Sequence, residues 1–176
     1  MSNKENVMRN IRIGKVTLNL GAGKDIPKLE KGQKLFKILT GVDSVKTITH
    51  KRIQQWGLRP GLPIGCKVTL RGEEAKELIM RLLTAKDFTL SERSFDNEGN
   101  FAFGIHEYIE IANFDYIPEI GLLGFEVCVS LERPGFRVKK RRMKQAKVGK
   151  KHRISKQDSI EFAKLNLSVK IKEELV

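Results

Sequence analysis

Two cysteines in 176 residues are too few for a disulfide framework. Cys66 and Cys128 stand 62 positions apart, and neither has a second Cys or a His at ligand spacing, so no local zinc site is readable. Both fall in alternating apolar segments and are expected to be small buried hydrophobes in a reducing cytoplasm. The three histidines, His50, His106 and His152, are each about 50 residues apart and form no ligand pair. Long apolar runs are missing too. The longest, Ile120 to Leu131, is too short to span a bilayer and carries Glu126, so no membrane partner is expected. The N-terminal MSNKENVMRNIR lacks the apolar core of a signal peptide.

Catalytic motifs fail when tested. Gly21-Ala22-Gly23-Lys24 looks briefly like a phosphate loop, but that pattern needs Gly where Leu18 stands and Ser or Thr where Asp25 stands. His106-Glu107 begins like a metalloprotease helix, but position 110 is Glu110. There is no GxSxG elbow. No catalytic residue, metal or cofactor is expected, and an enzyme acting on RNA has no visible site.

Charge is what the chain has in excess. Lys and Arg number 34 against 21 Asp and Glu, for a net charge of +13 and a pI near 9.9. The sign is segregated. Residues 44–72 hold 6 basic and no acidic side chains, and residues 133–157 hold 12 basic and none acidic. Residues 73–132 hold 13 acidic and 4 basic ones. Such blocks call for an anionic partner, here RNA. The 133–157 segment repels itself and is expected to order against a polyanion, with steep salt dependence. The acidic block is expected to face solvent or a basic protein.

Periodicity supplies the elements. Residues 11–21 read as a strand with Val16, Leu18 and Leu20 on one face and Lys15, Thr17 and Asn19 on the other, with a bulge near Gly14. Residues 28–40 read as a helix with an apolar stripe at Leu35, Phe36 and Leu39, ended by Gly41. Val45 to Thr49 suggests a short strand. Residues 66–71 alternate again, with Lys67, Thr69 and Arg71 opposite Cys66, Val68 and Leu70. Glu73 and Glu74 open a helix with a stripe at Ala75, Leu78, Ile79 and Leu82. Ile105 to Ile111 and Phe125 to Leu131 read as further strands. Ser155 and Asp158 form a capping-box pair for a last helix. The class is α+β, a largely antiparallel sheet with helices packed on one face and long basic loops.

The open sheet face is therefore the candidate RNA surface, presenting Lys15, Thr17, Asn19, Lys67, Thr69 and Arg71. Arg12, Arg137, Lys139, Lys140, Arg141, Arg142, Lys150, Lys151, His152 and Arg153 add the basic arm. The Gly- and Pro-rich loop 50–65 carries Lys51, Arg52, Gln54, Gln55, Trp56 and Arg59. Trp56 is read there either as a base-stacking platform or as a packing anchor.

Specific stretches add a resemblance. PIGCKVTLRG (Pro63 to Gly72), the upstream GLRPG and GNFAFGIHEYIEI (Gly99 to Ile111) resemble the universal large-subunit ribosomal protein five. RPGFRVKKRR and GKKHRIS resemble its archaeal and eukaryotic branch, and TLNLGAG fits as well. The resemblance covers nearly the whole chain. It implies a single domain over residues 1–176, seated in the central protuberance and holding 5S ribosomal RNA through the sheet. It implies RNA contacts at Asn19 and Thr69, with Arg71 as a companion. The family usually has a further RNA-contacting Gln where this chain has Val42, so that contact does not carry over. The resemblance further implies that the 50–65 loop lies near the P-site tRNA. The remaining implied partners are large-subunit rRNA and a basic protein of the small-subunit head. A free-standing basic RNA chaperone or assembly factor is the competing reading.

Overall fold

The computed structural model describes residues 6–112 and 114–172. The first strand, β1 (Arg12–Gly21), buries Val16, Leu18 and Leu20 and leaves the alternate side chains on the other face. Its pairing slips between Ile13 and Lys15, so the bulge expected near Gly14 is there. Helix α1 (Ile26–Thr40) follows, with Pro27 in its first turn and Gly41 in the left-handed conformation that closes it. Leu29, Leu35, Phe36 and Leu39 make its buried stripe.

β2 (Val45–Ile48) and β3 (Pro63–Leu70) flank the Gly- and Pro-rich excursion. β3 begins three residues earlier than the alternation from Cys66 indicates. Arg71 lies just past its end, as the N-cap of α2 (Gly72–Thr84). The α2 stripe is the expected one, extended by Leu83. Three strands come next: β4 (Thr89–Ser91), β5 (Phe101–Ile105) and β6 (Phe125–Glu132). The strand expected over Ile105 to Ile111 is a correction. The strand ends at Ile105, and Tyr108–Glu110 is a single 3-10 turn. The turn is fixed by Tyr108, whose buried hydroxyl accepts a hydrogen bond from the Ile117 N–H at 2.9 Å. The Phe101, Phe103, Ile105 alternation carries the strand signal instead.

The chain closes with the short α3 (Arg137–Lys140), α4 (Lys156–Asn166) and β7 (Lys170–Lys172). Ser155 and Asp158 form both hydrogen bonds of the capping box. β7 pairs with β4 in parallel, an interaction too short and too distant in sequence to be read beforehand.

Five strands make the main sheet in the order β2-β3-β1-β6-β5, with every neighbour antiparallel. The inner face of the sheet and the stripes of α1 and α2 share one hydrophobic cluster, in which Phe36 meets Phe125 edge-on at 5.6 Å. The α+β class, the antiparallel sheet and the one-sided helical cover are as expected. Among the described residues no helix covers the outer face, which makes it available to a partner.

Candidate nucleic-acid interface

Register decides what the outer face looks like. Thr17 stands between Thr69 on β3 and Cys128 on β6, and Cys128 stands beside Ala102 on β5. The next row runs Val45, Lys67, Asn19, Glu126, Gly104. Lys15 pairs with Ser130. The centre thus sets small residues and hydroxyls beside Asn19 and Glu126, flanked by lysines. Short side chains leave a shallow, flat surface on which a ribose–phosphate backbone or a base edge can approach the sheet closely.

Asn19 and Thr69 lie on neighbouring strands, one register step apart, and neither is buried. The Thr17 and Thr69 hydroxyls are 3.4 Å from each other. Each can donate to one group and accept from another, as ribose 2′-hydroxyls and phosphate oxygens require. The expected ladder of Lys15, Thr17 and Asn19 beside Lys67 and Thr69 therefore exists. Arg71 continues the β3 series only as a neighbour of its last residue.

Two residues on this face depart from expectation. Cys128 is half-exposed among the hydroxyls, whereas Cys66 is fully buried as expected. Burial pushes the Cys128 thiol up, Glu126 adds to the rise and Lys15 opposes it. The alternation of Phe125, Val127 and Val129 puts Cys128 on the outer face, but its apolar neighbours mask this. Glu126 matters more, because charge counting assigns the whole acidic block to surfaces away from RNA. Its carboxylate instead sits at the centre of the open face and accepts from Asn19 Nδ2 at 3.3 Å. A carboxylate repels phosphate but accepts hydrogen bonds from the amino groups of exposed bases. With its amide nitrogen engaged, Asn19 keeps its oxygen as an acceptor. Glu126 is thus a site residue that charge counting conceals and strand parity could have found.

Glu132, at the end of β6, is likewise drawn into the basic region. Arg12 reaches its Oε1 at 2.9 Å and Lys140 its Oε2 at 2.6 Å. Burial pushes this carboxyl up, yet the hydrogen bonds and charges of Lys140 and Arg12 outweigh that and hold it below the ordinary carboxylate range. Arg12 and Lys140 are therefore oriented cations rather than free ones.

The basic arm leaves the sheet at β6 and returns at α4. Arg133, almost fully buried, closes it: Nη1 donates to the Arg153 carbonyl at 3.1 Å and Nη2 to Asp158 at 3.1 Å. His152 is not presented outward as a ligand for RNA would be. Its Nε2 lies 2.8 Å from the Pro134 carbonyl oxygen and its ring packs edge-on against Phe136. Arg141 and Arg153 each donate an Nε hydrogen bond to a carbonyl within the arm, and Lys139 faces Glu98 at 3.6 Å. Arg137, Arg142, Lys150 and Lys151 are exposed cations with no ion-pair partner among the described residues.

The 49–62 excursion is a pinned hairpin extension. Ile53 and Leu58 exchange two backbone hydrogen bonds around a tip of Gln54, Gln55, Trp56 and Gly57. Leu58 is buried, but Trp56 is 66% exposed. The packing-anchor reading of Trp56 therefore gives way to a presented ring. Lys51, Arg52 and Arg59 flank it, all exposed.

Two family models divide the chain between them. "Ribosomal protein L5" matches residues 6–59, and the model of the C-terminus of the same ribosomal family matches residues 63–162. The chain belongs to the ribosomal protein L5 family. It is 52% identical over 168 residues to the large ribosomal subunit protein uL5 of Nanoarchaeum equitans, covering 95% of this chain and 99% of that one. It is 45% identical over 170 residues to uL5 of Sulfolobus acidocaldarius, covering 97% and 96%. For uL5 of Sulfurisphaera tokodaii the identity is 46% over 169 residues, covering 96% of each. These archaeal relatives make the chain a large-subunit protein of the archaeal type, within the archaeal and eukaryotic branch that GKKHRIS and RPGFRVKKRR resemble. The family is structural and non-enzymatic, and being part of a ribonucleoprotein and binding rRNA follow from membership in it. The boundary between the two matched regions falls in the Trp56 excursion. β3, the first element of the second region, pairs with β1 of the first, so both regions build one sheet.

Proposed function

We propose that this ribosomal protein binds 5S rRNA through the open sheet face, as one unit over its whole length, within the central protuberance of the cytoplasmic ribosome. The observation that carries this reading is the row Lys67, Asn19, Glu126 beside the paired hydroxyls of Thr17 and Thr69. It offers both polarities of hydrogen bond on a flat surface, and so suits base edges and ribose as well as phosphate. The basic arm supplies the non-selective part, lying against the same RNA or against the adjoining large-subunit rRNA. Val42 is exposed beyond the end of α1 and offers no side-chain hydrogen bond in the place of the family's Gln.

Filter binding to 5S rRNA and to an unrelated stem-loop at two salt concentrations tests the division of labour. Alanine at Arg142, Lys150 and Lys151 is expected to weaken both RNAs alike and to reduce the salt slope by about 0.7–0.9 for each phosphate no longer neutralised. An unchanged slope would mean that the arm does not lie on phosphate. A free-standing chaperone would wash off the large subunit in high salt, whereas the constituent proposed here stays on it.

Two further surfaces belong to this reading. The Trp56 tip is proposed to lie near the elbow of the P-site tRNA, supported by its exposed ring and flanking cations. The acidic surface for the small-subunit head protein is proposed to be Glu107, Glu110, Asp115 and Glu119, all exposed, with Glu119 also paired to Lys34 at 3.2 Å, while Glu126 and Glu132 are engaged within the basic face. Replacing Trp56 by Ala should lower P-site tRNA retention, and reversing Glu107, Glu110 and Glu119 to Lys should slow subunit joining. Wild-type values in both assays would remove these surfaces from the proposal.

A further inference from the structure

The basic arm does not lie flat on the body of the protein. Between it and the turn at residues 96–100 is a cavity of about 550 Å³. That is within the roughly 300–1,000 Å³ range of small-molecule sites. Phe136, Val148 and Ile154 supply its apolar lining. The turn side is rigid. Asp96 Oδ1 accepts from the Glu98 and Asn100 N–H groups at 2.9 and 2.7 Å, and Gly99, at φ 83°, lies where a Cβ would fall 2.4 Å from Ile154 Cγ2. Only glycine allows this approach. Lys139, Lys147 and Arg153 stand at the same opening, all exposed. Glu98, the acidic group there, is faced by Lys139 at 3.6 Å, and Asp96 is occupied within its own turn. Among the described residues, neither the Asn97 carboxamide nor the Lys147 ammonium has a hydrogen-bond or ion-pair partner.

An apolar slot with an aromatic wall, an unused carboxamide and a cationic mouth matches the parts of a nucleotide. The base needs stacking surface and one polar edge contact, and the phosphate needs cations. We propose that this cavity receives a single unstacked nucleobase of the ribosomal RNA along which the basic arm runs. The base would lie against Phe136 and Val148, the Asn97 carboxamide would meet its polar edge, and Lys147 would hold its phosphate. The inference rests on the RNA-binding reading above but uses a surface separate from the sheet. One inserted base would fix the register of an arm that is otherwise held only by phosphate contacts, which carry no positional information.

The test uses the full chain, methyl-labelled for NMR and titrated separately with AMP, GMP, CMP, UMP and ribose 5-phosphate. Saturable shifts at the Val148 and Ile154 methyls are expected with at least one nucleotide and not with ribose 5-phosphate. Val148→Trp fills the cavity and should abolish those shifts at Ile154. The backbone carbonyl at position 148 remains to accept from Arg153, so the arm keeps that internal tie. No shift with any of the four nucleotides overturns the proposal, as do equal shifts with ribose 5-phosphate, which would make the mouth a phosphate contact only. Shifts that persist in Val148→Trp overturn it as well, whereas unchanged 5S discrimination in Thr69→Glu, with the shifts intact in the wild-type chain, would count against the sheet reading instead.

Discussion

Thr69→Glu should cost the protein most of its preference for 5S rRNA over an unrelated stem-loop while leaving its melting temperature unchanged. Thr69 is exposed, and its side-chain hydrogen-bond partner among the described residues is the Thr17 hydroxyl across the strand pair, so the larger side chain points to solvent and not into the core. The new carboxylate would stand where phosphate or ribose oxygens are proposed to lie. At about 5 Å and an effective dielectric near 20, the repulsion is about 3 kcal/mol. Lys67 on the same strand and Arg71 just past its end offset part of it, leaving about 2 kcal/mol, or roughly thirtyfold in affinity. The stem-loop, held mainly by the basic arm, should lose far less. Thr69→Ser keeps the hydroxyl and should retain discrimination. Unchanged discrimination in a well-folded Thr69→Glu protein would show that the open face does not read the RNA. The same assay with Asn19→Ala addresses the neighbouring acceptor, whose loss also releases Glu126 from its hydrogen bond.

The second large effect is expected at Arg133→Met. This residue is 8% exposed, and its guanidinium ties the end of β6 to the start of α4, closing the basic arm at its root. Removing one member of a buried pair strands the other, at a cost of ~3–5 kcal/mol when both are buried. Asp158 keeps partial solvent access and its Ser155 partner, so about 2–3 kcal/mol is expected here. For a chain of this length that lowers the melting temperature by roughly 5–10 °C. Protease cleavage within 139–151 should accelerate as well, because the Arg153 carbonyl loses its tie. A pH scan supplies an independent check. Burial pushes the Asp158 carboxyl up, but hydrogen bonds from Ser155 and the Arg133 charge outweigh it and hold the carboxyl below its usual value. A carboxyl depressed in the folded state stabilises fully above its unfolded pKa, near 3.9, and loses that contribution as pH falls through the lower folded value. Arg133→Met should therefore shrink the acid-induced loss of stability below about pH 4. A variant as stable as wild type at pH 7 would mean that the clip contributes nothing.

Much of this architecture is legible locally. The parity of Val16, Leu18 and Leu20 against Lys15, Thr17 and Asn19 is the parity of the folded strand, because a strand with one wet face must alternate. The α1 stop at Gly41 and the Ser155–Asp158 cap are equally local, since each satisfies backbone groups within one turn. The failure at Ile105 to Ile111 has a physical cause too. Tyr108 is buried by a hydrogen bond to Ile117, nine residues away, which bends the chain into a 3-10 turn. Trp56 is ambiguous in sequence because its exposure depends on how the 49–62 hairpin is pinned, and that depends on the backbone pair Ile53 and Leu58.

The periodicity of each element, its caps, the segregation of charge and, through PIGCKVTLRG and its companions, the family can all be read along the chain. Which strands are neighbours is set by the folded sheet alone. The order β2-β3-β1-β6-β5 puts Glu126 against Asn19, 107 positions away in the chain, and sets Cys128 among the hydroxyls. It also returns the basic arm to Arg133 and Asp158, leaving a cavity beneath it. Caps and alternation are satisfied within a turn or a few residues, whereas sheet register is set by backbone ladders between distant segments once the apolar faces close on one core. No local window of sequence contains that information.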